Sequence, residues 1–265
     1  MKIKKIDVFD NGIKASIKLK AVLIKKLEEN GFVIDNKKPD MVIAVGGDGC
    51  FLSMLKYYNF SSDIVYVGVN TGNLGFLQEI KKDDIDGFIE TLKTGDYKVE
   101  AVGIQESHIK TKTDTHLFYS LNEVVIRNVT LNIICLDINT GGSHLENFRG
   151  DGILVSTSVG STAYNLALGG AIVYNMLHTL QITPMAPLNS KVYQSLTNSV
   201  IVPQAMPVEI IPTNTNHLLI SIDGTTYEHE DVISIETVVK DKRINCLRLE
   251  SYNFFEKIND KLLKE

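Results

Sequence analysis

Five consecutive apolar residues, Met41-Val-Ile-Ala-Val45, run straight into Gly46-Gly47-Asp48-Gly49. A short strand with no polar residue must be covered on both faces, which is the situation of a parallel sheet with helices on either side. Parallel strands need crossover connections, and the neighbouring sequence supplies them. Ile3, Ile6 and Val8 suggest a first strand. Residues 14–30 place Ile17, Ala21, Ile24 and Leu27 at helical spacing, with Gly31 as C-cap. A helix is expected from Cys50 to Tyr58, a second buried strand from Ile64 to Val69, and a helix over 83–93 that starts at an Asp cap and ends near Gly95. The order β-α-β-α-β-α predicts an α/β fold of the doubly wound, Rossmann-like kind.

Near residue 97 the period changes from helix to strand. Strands are expected at Tyr97–Val102, Ser107–Thr111, Leu117–Arg127, Leu131–Ile138, Ser143–Phe148, Ser199–Val202, Val208–Pro212, Leu218–Asp223, Tyr227–Glu236 and Asn245–Glu250, with one helical interruption around Ser161–Leu168. Asp223-Gly224 between two such runs signals a hairpin. The second part therefore reads as an all-β, sandwich-like domain. The tail from Tyr252 to Leu263 returns to helical spacing and suits packing on the first domain. The expected division is residues 1–98 with 251–265 for the α/β domain and 99–250 for the β-rich, substrate-binding domain.

Composition excludes several classes. The chain has 265 residues, 44% hydrophobic and 22% charged, an ordinary globular mix with a sizeable core. The net charge of −5 argues against nucleic acid, and the Lys clusters at Lys2, Lys4 and Lys5 and at Lys25-Lys26, within or beside amphipathic stretches, read as solvated faces rather than a nucleic-acid patch. Cys50, Cys135 and Cys246 are scattered, with neither CxxC nor zinc spacing, which suits a reducing compartment. The start, MKIKKIDVF, reads as a strand rather than a signal peptide, and no apolar run reaches the ~18 residues that span a bilayer. A soluble, cytoplasmic protein is expected, with no membrane partner. The six histidines show no paired spacing, so no residue is assigned to a metal.

The chemistry points to the Gly-rich loop. Ligands of open α/β sheets bind where such loops leave the C-terminal ends of strands. Gly46 and Gly47 let the backbone approach a phosphate, and the start of the next helix favours an anion. Asp48 would repel that phosphate unless it had a task, such as accepting a proton from an attacking hydroxyl or helping to hold a metal. The alternative is that it caps the helix, and spacing alone leaves both readings open. GxxxxGK[ST], HRD, DFG and GxGxxG are all absent, so P-loop enzymes, protein kinases and plain dehydrogenases are disfavoured.

Four ordered blocks carry a resemblance. Gly46-Gly47-Asp48-Gly49, Thr71-Gly72-Asn73-Leu74-Gly75-Phe76-Leu77, Leu121-Asn122-Glu123, and Phe148-Arg149-Gly150-Asp151-Gly152 followed by Gly160-Ser161-Thr162-Ala163-Tyr164-Asn165 together resemble the NAD kinase family. The resemblance implies transfer of the γ-phosphoryl group of ATP to the 2′-hydroxyl of the adenosine ribose of NAD, with Mg²⁺ or another divalent cation accompanying ATP. It implies Asp48 as the catalytic base. It implies that Gly49, Phe76, Asn122, Glu123, Asp151, Ser161, Thr162, Ala163, Tyr164 and Asp223 bind NAD, and that Gly46, Gly47 and Arg149 contact phosphate or ATP. Asn122 and Glu123 would meet ribose hydroxyls and adenine, and Asp151 the nicotinamide carboxamide. A homo-oligomer, dimer or tetramer, is implied by likeness alone.

The chain departs from the family at Ser158-Val159, where a Pro and then a Thr or Ser are usual; Val159 offers no hydroxyl to the adenine. Two other functions compete: a kinase of the same scaffold acting on a lipid or sugar phosphate, and an NAD-binding sensor without turnover.

Overall fold

The computed structural model describes residues 3–72 and 75–263. In chain order the elements are β1 Lys5–Asp10, α1 Lys14–Glu29, β2 Val33–Ile34, β3 Met41–Val45, α2 Asp48–Tyr57, β4 Val65–Val69, α3 Ile85–Thr94 and β5 Tyr97–Gly103. There follow β6 Gln105–Thr111, β7 Thr115–Ser120, β8 Glu123–Asn128, β9 Ile134–Thr140, β10 Ser143–Gly150, β11 Gly152–Thr157 and the single turn α4 Tyr164–Ala167. The remainder is β12 Thr179–Met185, β13 Val200–Pro203, β14 Val208–Pro212, β15 Leu218–Ile222, β16 Thr225–His229, β17 Val232–Val238, β18 Arg243–Leu249 and α5 Phe254–Ile258. No described helix is long and apolar enough to cross a membrane.

The chain forms two compact units. The first comprises residues up to Val102 together with those from Arg243 onward. Its sheet has the order β2-β1-β3-β4-β18-β5. β1, β3, β4 and β18 run parallel. Every residue of β3 and β4 is buried, as their unbroken apolar sequences require. From β1 the chain moves to β2 on one side and then to β3 on the other, so the strand order switches between β1 and β3. The Gly46–Gly49 loop leaves β3 at that switch point, where open α/β sheets hold ligands. Helix α3 ends in Gly95 at φ 84°, the left-handed cap that its sequence predicts.

The second unit, Gly103–Lys242, is a sandwich of two six-stranded sheets, β10-β9-β14-β17-β6-β7 and β13-β12-β11-β8-β15-β16. Residues from both sheets share one core, including Ile109, Leu136 and Ile235 from one and Ile126, Val155 and Ile220 from the other. The chain crosses between sheets at tight corners. It leaves β7 for β8 through Leu121 and Asn122, β10 for β11 through Asp151, and β16 for β17 near Asp231.

The structure corrects the sequence reading in four places. The run expected at Leu117–Arg127 is two strands in different sheets, because Leu121-Asn122 is a corner. Tyr227–Glu236 divides in the same way, and its turn holds Asp231 at φ 55°. β11 and β12 were not expected as strands, yet β11 is buried along its length and sits between β8 and β12. The strand expected at Asn245–Glu250 in the β-rich domain is β18, which pairs with β4 in the first sheet. The boundaries of the units accordingly fall at 102/103 and 242/243 rather than at 98/99 and 250/251. The cause is visible in the sequence: Arg243–Leu249 alternates like any half-buried strand, and alternation does not say which sheet receives it.

Candidate functional site

In the first unit, Asp48 occupies the first turn of α2, and the N-cap is Gly47, at φ −91° and ψ −173°. The capping reading of Asp48 therefore fails: no side chain caps α2. Its carboxylate instead reaches the segment after β4, where Oδ2 accepts from the Phe76 N–H at 2.9 Å and Oδ1 from the Leu77 N–H at 3.0 Å. A negative group in the first turn is also favoured by the helix dipole. Two glycines make this approach possible. A Cβ on Gly75 would land on the Asp48 carboxylate, and one on Gly46 would sit 2.7 Å from the Cys50 Cβ. Asn70 orders the start of the segment, accepting from the Gly72 N–H at 2.6 Å and donating to the Gly72 carbonyl at 2.7 Å. Asn73 and Leu74 of the Thr71–Leu77 block lie outside the described residues.

In the second unit the centre is the β7–β8 corner. Asp223 stands at φ 45° and Gly224 at φ 75°, both positive as a tight hairpin between β15 and β16 demands. This turn aims the Asp223 carboxylate at the corner. It accepts from the N–H groups of Leu121 at 2.8 Å, Asn122 at 2.8 Å and Glu123 at 3.2 Å, while the Asp223 N–H donates to the Glu123 carbonyl at 3.1 Å. Asp223, expected as a hairpin residue and as a contact for NAD, thus spends its carboxylate on the backbone of Leu121, Asn122 and Glu123. Thr157 closes the other side, donating from Oγ1 to the Leu121 carbonyl at 2.6 Å and from its N–H to the Asn122 carbonyl at 2.9 Å. Gly160 packs against the same corner, where a Cβ would lie 2.7 Å from the Asn122 Cα.

The side chains so positioned have unmet hydrogen-bonding capacity. Asn122 and Glu123 are each only 7% exposed, and Asn122 Oδ1 and Glu123 Oε2 have no hydrogen-bond partner. Burial, and then the nearby Asp223 charge, push the Glu123 carboxyl up to about 8; the Tyr164 backbone N–H opposes them. Buried polar atoms in folded proteins are almost always paired. The two orphans stand side by side on a corner whose backbone is held by six hydrogen bonds from Asp223 and Thr157, so a polar ligand could complete the pairing there.

The Gly160–Asn165 block divides between an exposed aromatic ring and buried polar groups with partners inside the protein. Val159–Thr162 is a 3-10 turn, Ala163 breaks it at φ −94° and ψ −133°, and α4 is one turn long, so the helix expected from Ser161 to Leu168 is not continuous. Ser161 is fully buried; its Oγ donates to the Val173 carbonyl at 3.2 Å and accepts from the Val173 N–H at 3.0 Å. Thr162 Oγ1 donates to the Val159 carbonyl at 3.5 Å, and the Ala163 N–H to the Gly160 carbonyl at 2.9 Å. Tyr164 is 42% exposed, with its ring open to a partner. Asn165, given no role from sequence, is buried and accepts from the Thr183 hydroxyl at 2.6 Å.

Arg149 and Asp151 lie elsewhere. The Arg149 guanidinium stacks 3.7 Å over the Tyr193 ring. Asp151 is exposed at the start of β11, whereas Ser156, the residue paired with Glu123, lies five positions on, or ~17 Å along the strand. Within the second unit, then, Asn122, Glu123, Gly160, Tyr164 and Asp223 converge, and Arg149 and Asp151 do not join them. No group of three or more His, Cys, Asp or Glu suited to a metal occurs among the described residues.

Comparison with known proteins agrees over the whole chain. Residues 16–97 match the ATP-NAD kinase N-terminal domain family and residues 121–244 the ATP-NAD kinase C-terminal domain family. The chain is 38% identical over 271 residues to the NAD kinase of Streptococcus gordonii, covering 99% of this chain and 96% of that one. It is 36% identical over 269 residues to the NAD kinase of Finegoldia magna, covering 98% of each. Among solved structures it resembles yeast NADH kinase complexed with NADH, at TM-score 0.86 and 19% identity over 99% of this chain and 88% of that one. It also resembles an NAD kinase from Archaeoglobus fulgidus in complex with ATP, at TM-score 0.73 and 19% identity over 96% of each chain. At that identity the two structures speak to the fold.

Proposed function

We propose, for a chain that belongs to the NAD kinase family and is thereby a phosphotransferase acting on NAD, that Asp48 is its catalytic base and that Asn122 and Glu123 select the adenosine ribose. The 2′-hydroxyl of that ribose gives its proton to the Asp48 carboxylate while its oxygen bonds to the γ-phosphorus of ATP. The bond from that phosphorus to the β–γ bridging oxygen breaks, and ADP leaves. Phosphoryl transfer of this kind depends on positioning and on charge stabilisation. Positioning is supported on both counts. Asp48 is fixed by two backbone N–H groups, and the corner carrying Asn122 and Glu123 is fixed by Asp223 and Thr157.

The observation that carries the acceptor reading is the orphaned pair, Asn122 Oδ1 and Glu123 Oε2. Both are acceptors when Glu123 is ionised, and a ribose diol or an exocyclic amine supplies the missing donors. With its carboxyl raised to about 8, Glu123 is largely protonated at neutral pH before ligand arrives; a donor ligand favours its ionised form. Tyr164 offers an exposed ring for stacking on adenine. Phe76 spends its N–H on Asp48, and its side chain remains a contact for NAD on family likeness alone. Gly47 leaves its N–H group for phosphate at the start of α2, whereas the Gly46 N–H, also expected to meet phosphate, is spent on the Val69 carbonyl at 2.9 Å.

Magnesium would enter on the ATP phosphates, offsetting their charge. The donor set fits that route: magnesium in such sites uses one or two carboxylates plus phosphate oxygens and water rather than a protein cage, and Asp48 is the carboxylate embedded in the Gly-rich loop. A homo-oligomer in the cytoplasm remains part of this proposal on family likeness.

The test is NADP formation from ATP, Mg²⁺ and NAD, followed with a coupled dehydrogenase. The 2′-deoxyadenosine analogue of NAD should bind and inhibit without being phosphorylated. Phosphorylation of that analogue would overturn the acceptor assignment. Binding of NAD with no NADP above background would favour the sensor reading.

A further inference from the structure

The C-terminal helix brings a buried cation to the back of the catalytic loop. Lys257, on α5, is only 11% exposed in its side chain. Its Nζ donates to the Gln78 carbonyl at 2.7 Å, the Glu79 carboxylate at 3.2 Å and the Phe76 carbonyl at 3.5 Å. An ammonium has three protons, and these three acceptors account for all of them. All three belong to the segment whose Phe76 and Leu77 N–H groups hold Asp48.

One peptide unit links the two charges. The Phe76 carbonyl and the Leu77 N–H are opposite ends of the same amide. Lys257 donates to the first, and the second donates to Asp48 Oδ1 at 3.0 Å. A cation on the carbonyl polarises the amide and strengthens donation from its N–H, since hydrogen bonds in series reinforce one another where water is excluded. Burial lowers the affinity of Lys257 for its proton, and the adjacent Glu79 charge opposes that, with Asp48 contributing in the same sense. Glu79 is itself tied down: its Oε1 accepts from the Leu249 N–H at 3.0 Å, and Arg248 Nη1 lies 3.5 Å from its Oε2. Arg248 in turn donates to Glu100 at 2.6 Å. Lys257 therefore joins Glu79, Arg248 and Glu100 in one buried network, delivered by a helix that comes some 180 residues after the loop it braces.

We infer that Lys257 is a positioning residue for the phosphoryl-transfer step, acting through the Phe76–Leu77 amide to hold Asp48 in register with the attacking hydroxyl. The inference rests on Asp48 being the base. It assigns the C-terminal helix a part in turnover rather than in substrate affinity, because none of the groups that select the ribose belongs to this network.

The experiment compares K257M, K257R and D48N in the full-length chain. K257M keeps the apolar stem and removes the ammonium, and Glu79 retains Arg248 and the Leu249 N–H, so no charge is left unpaired. The expected result is a fall in kcat of about tenfold or more, with KM for NAD and for ATP within about threefold of the parent. K257R keeps the charge without the three-point geometry and should fall between the two. K257M with the parent's kcat, in a preparation whose far-UV dichroism and NAD affinity match the parent, overturns the inference. If K257M does not accumulate as folded protein, K257R decides: a kcat equal to the parent's overturns the inference, and a reduced kcat with unchanged KM supports it. D48N separates the inference from its premise. An active D48N protein removes the base assignment itself, whereas an inactive D48N beside a fully active K257M removes only the role of Lys257.

Discussion

Replacing Glu123 by Gln should change how the stability of the ligand-free protein depends on pH. The Glu123 carboxyl is lifted from an ordinary value of 4.5 to about 8, first by burial and then by Asp223. In the unfolded chain it releases its proton near 4.5, while in the folded chain it keeps that proton until about 8. Between these values the native state binds the extra proton, so raising the pH favours unfolding. Below 4.5 both states are protonated and above 8 both are ionised, so the effect is confined to that window. The full loss is roughly 5 kcal/mol, which corresponds to roughly 10–20 °C in Tm for a chain of this size. Gln is neutral throughout and close to Glu in shape, so E123Q lacks this component. Urea or thermal unfolding of both proteins from pH 4.5 to 9 isolates it, because titrating groups that do not interact with Glu123 cancel in the difference. The E123Q protein should gain on the parent steadily from pH 5 to 8 and hold its advantage above. Parallel curves across that range would refute a buried, proton-retaining Glu123 and with it the polar, ligand-hungry character assigned to this corner.

Three further changes test the positioning groups. D223N removes a carboxylate oxygen from a set that receives three backbone N–H groups; it should lower stability by about 2–3 kcal/mol in chemical denaturation and raise KM for NAD. G75A puts a Cβ on the Asp48 carboxylate, so kcat should fall by about tenfold or more while NAD binding measured by calorimetry is retained. S161A leaves the buried Val173 N–H without its acceptor and should cost about 1–3 kcal/mol in unfolding free energy, a structural loss that appears in Tm before it appears in kcat.

The first unit was largely legible because its signals are local. Met41–Val45 has no polar residue, so it could only be a doubly covered strand, and Gly95 stands at the left-handed cap that ends α3. The second unit was legible as β-rich but not in its connections. Where a chain turns from one sheet to the other, apolar alternation continues through the corner, so Leu117–Arg127 looked like one strand. The break at Leu121-Asn122 is imposed from outside by Asp223, 100 residues away for Glu123. The candidate site divides in the same manner. Asp48, Asn122 and Glu123 stand out as polar groups beside glycines or at strand ends. Asp223 was legible as a turn residue, yet its carboxylate is used to hold a backbone, which only the folded geometry reveals. Ser161 looked like a ligand contact and is spent on Val173. Lys257 gave no signal, since a lysine on an amphipathic tail is ordinarily a solvated one, and its burial depends on Glu79 and two carbonyls far away in sequence.

The central claim is that Asp48 accepts the proton of the ribose 2′-hydroxyl during phosphoryl transfer. The most direct measurement is the single-turnover rate of NADP formation by D48N, with ATP, Mg²⁺ and NAD saturating and NAD affinity measured alongside by calorimetry. The account predicts a rate lower by about 10²–10⁴-fold with NAD affinity within a few-fold of the parent. A D48N protein that forms NADP within tenfold of the parent rate would contradict it, because Asn offers no carboxylate to take the proton.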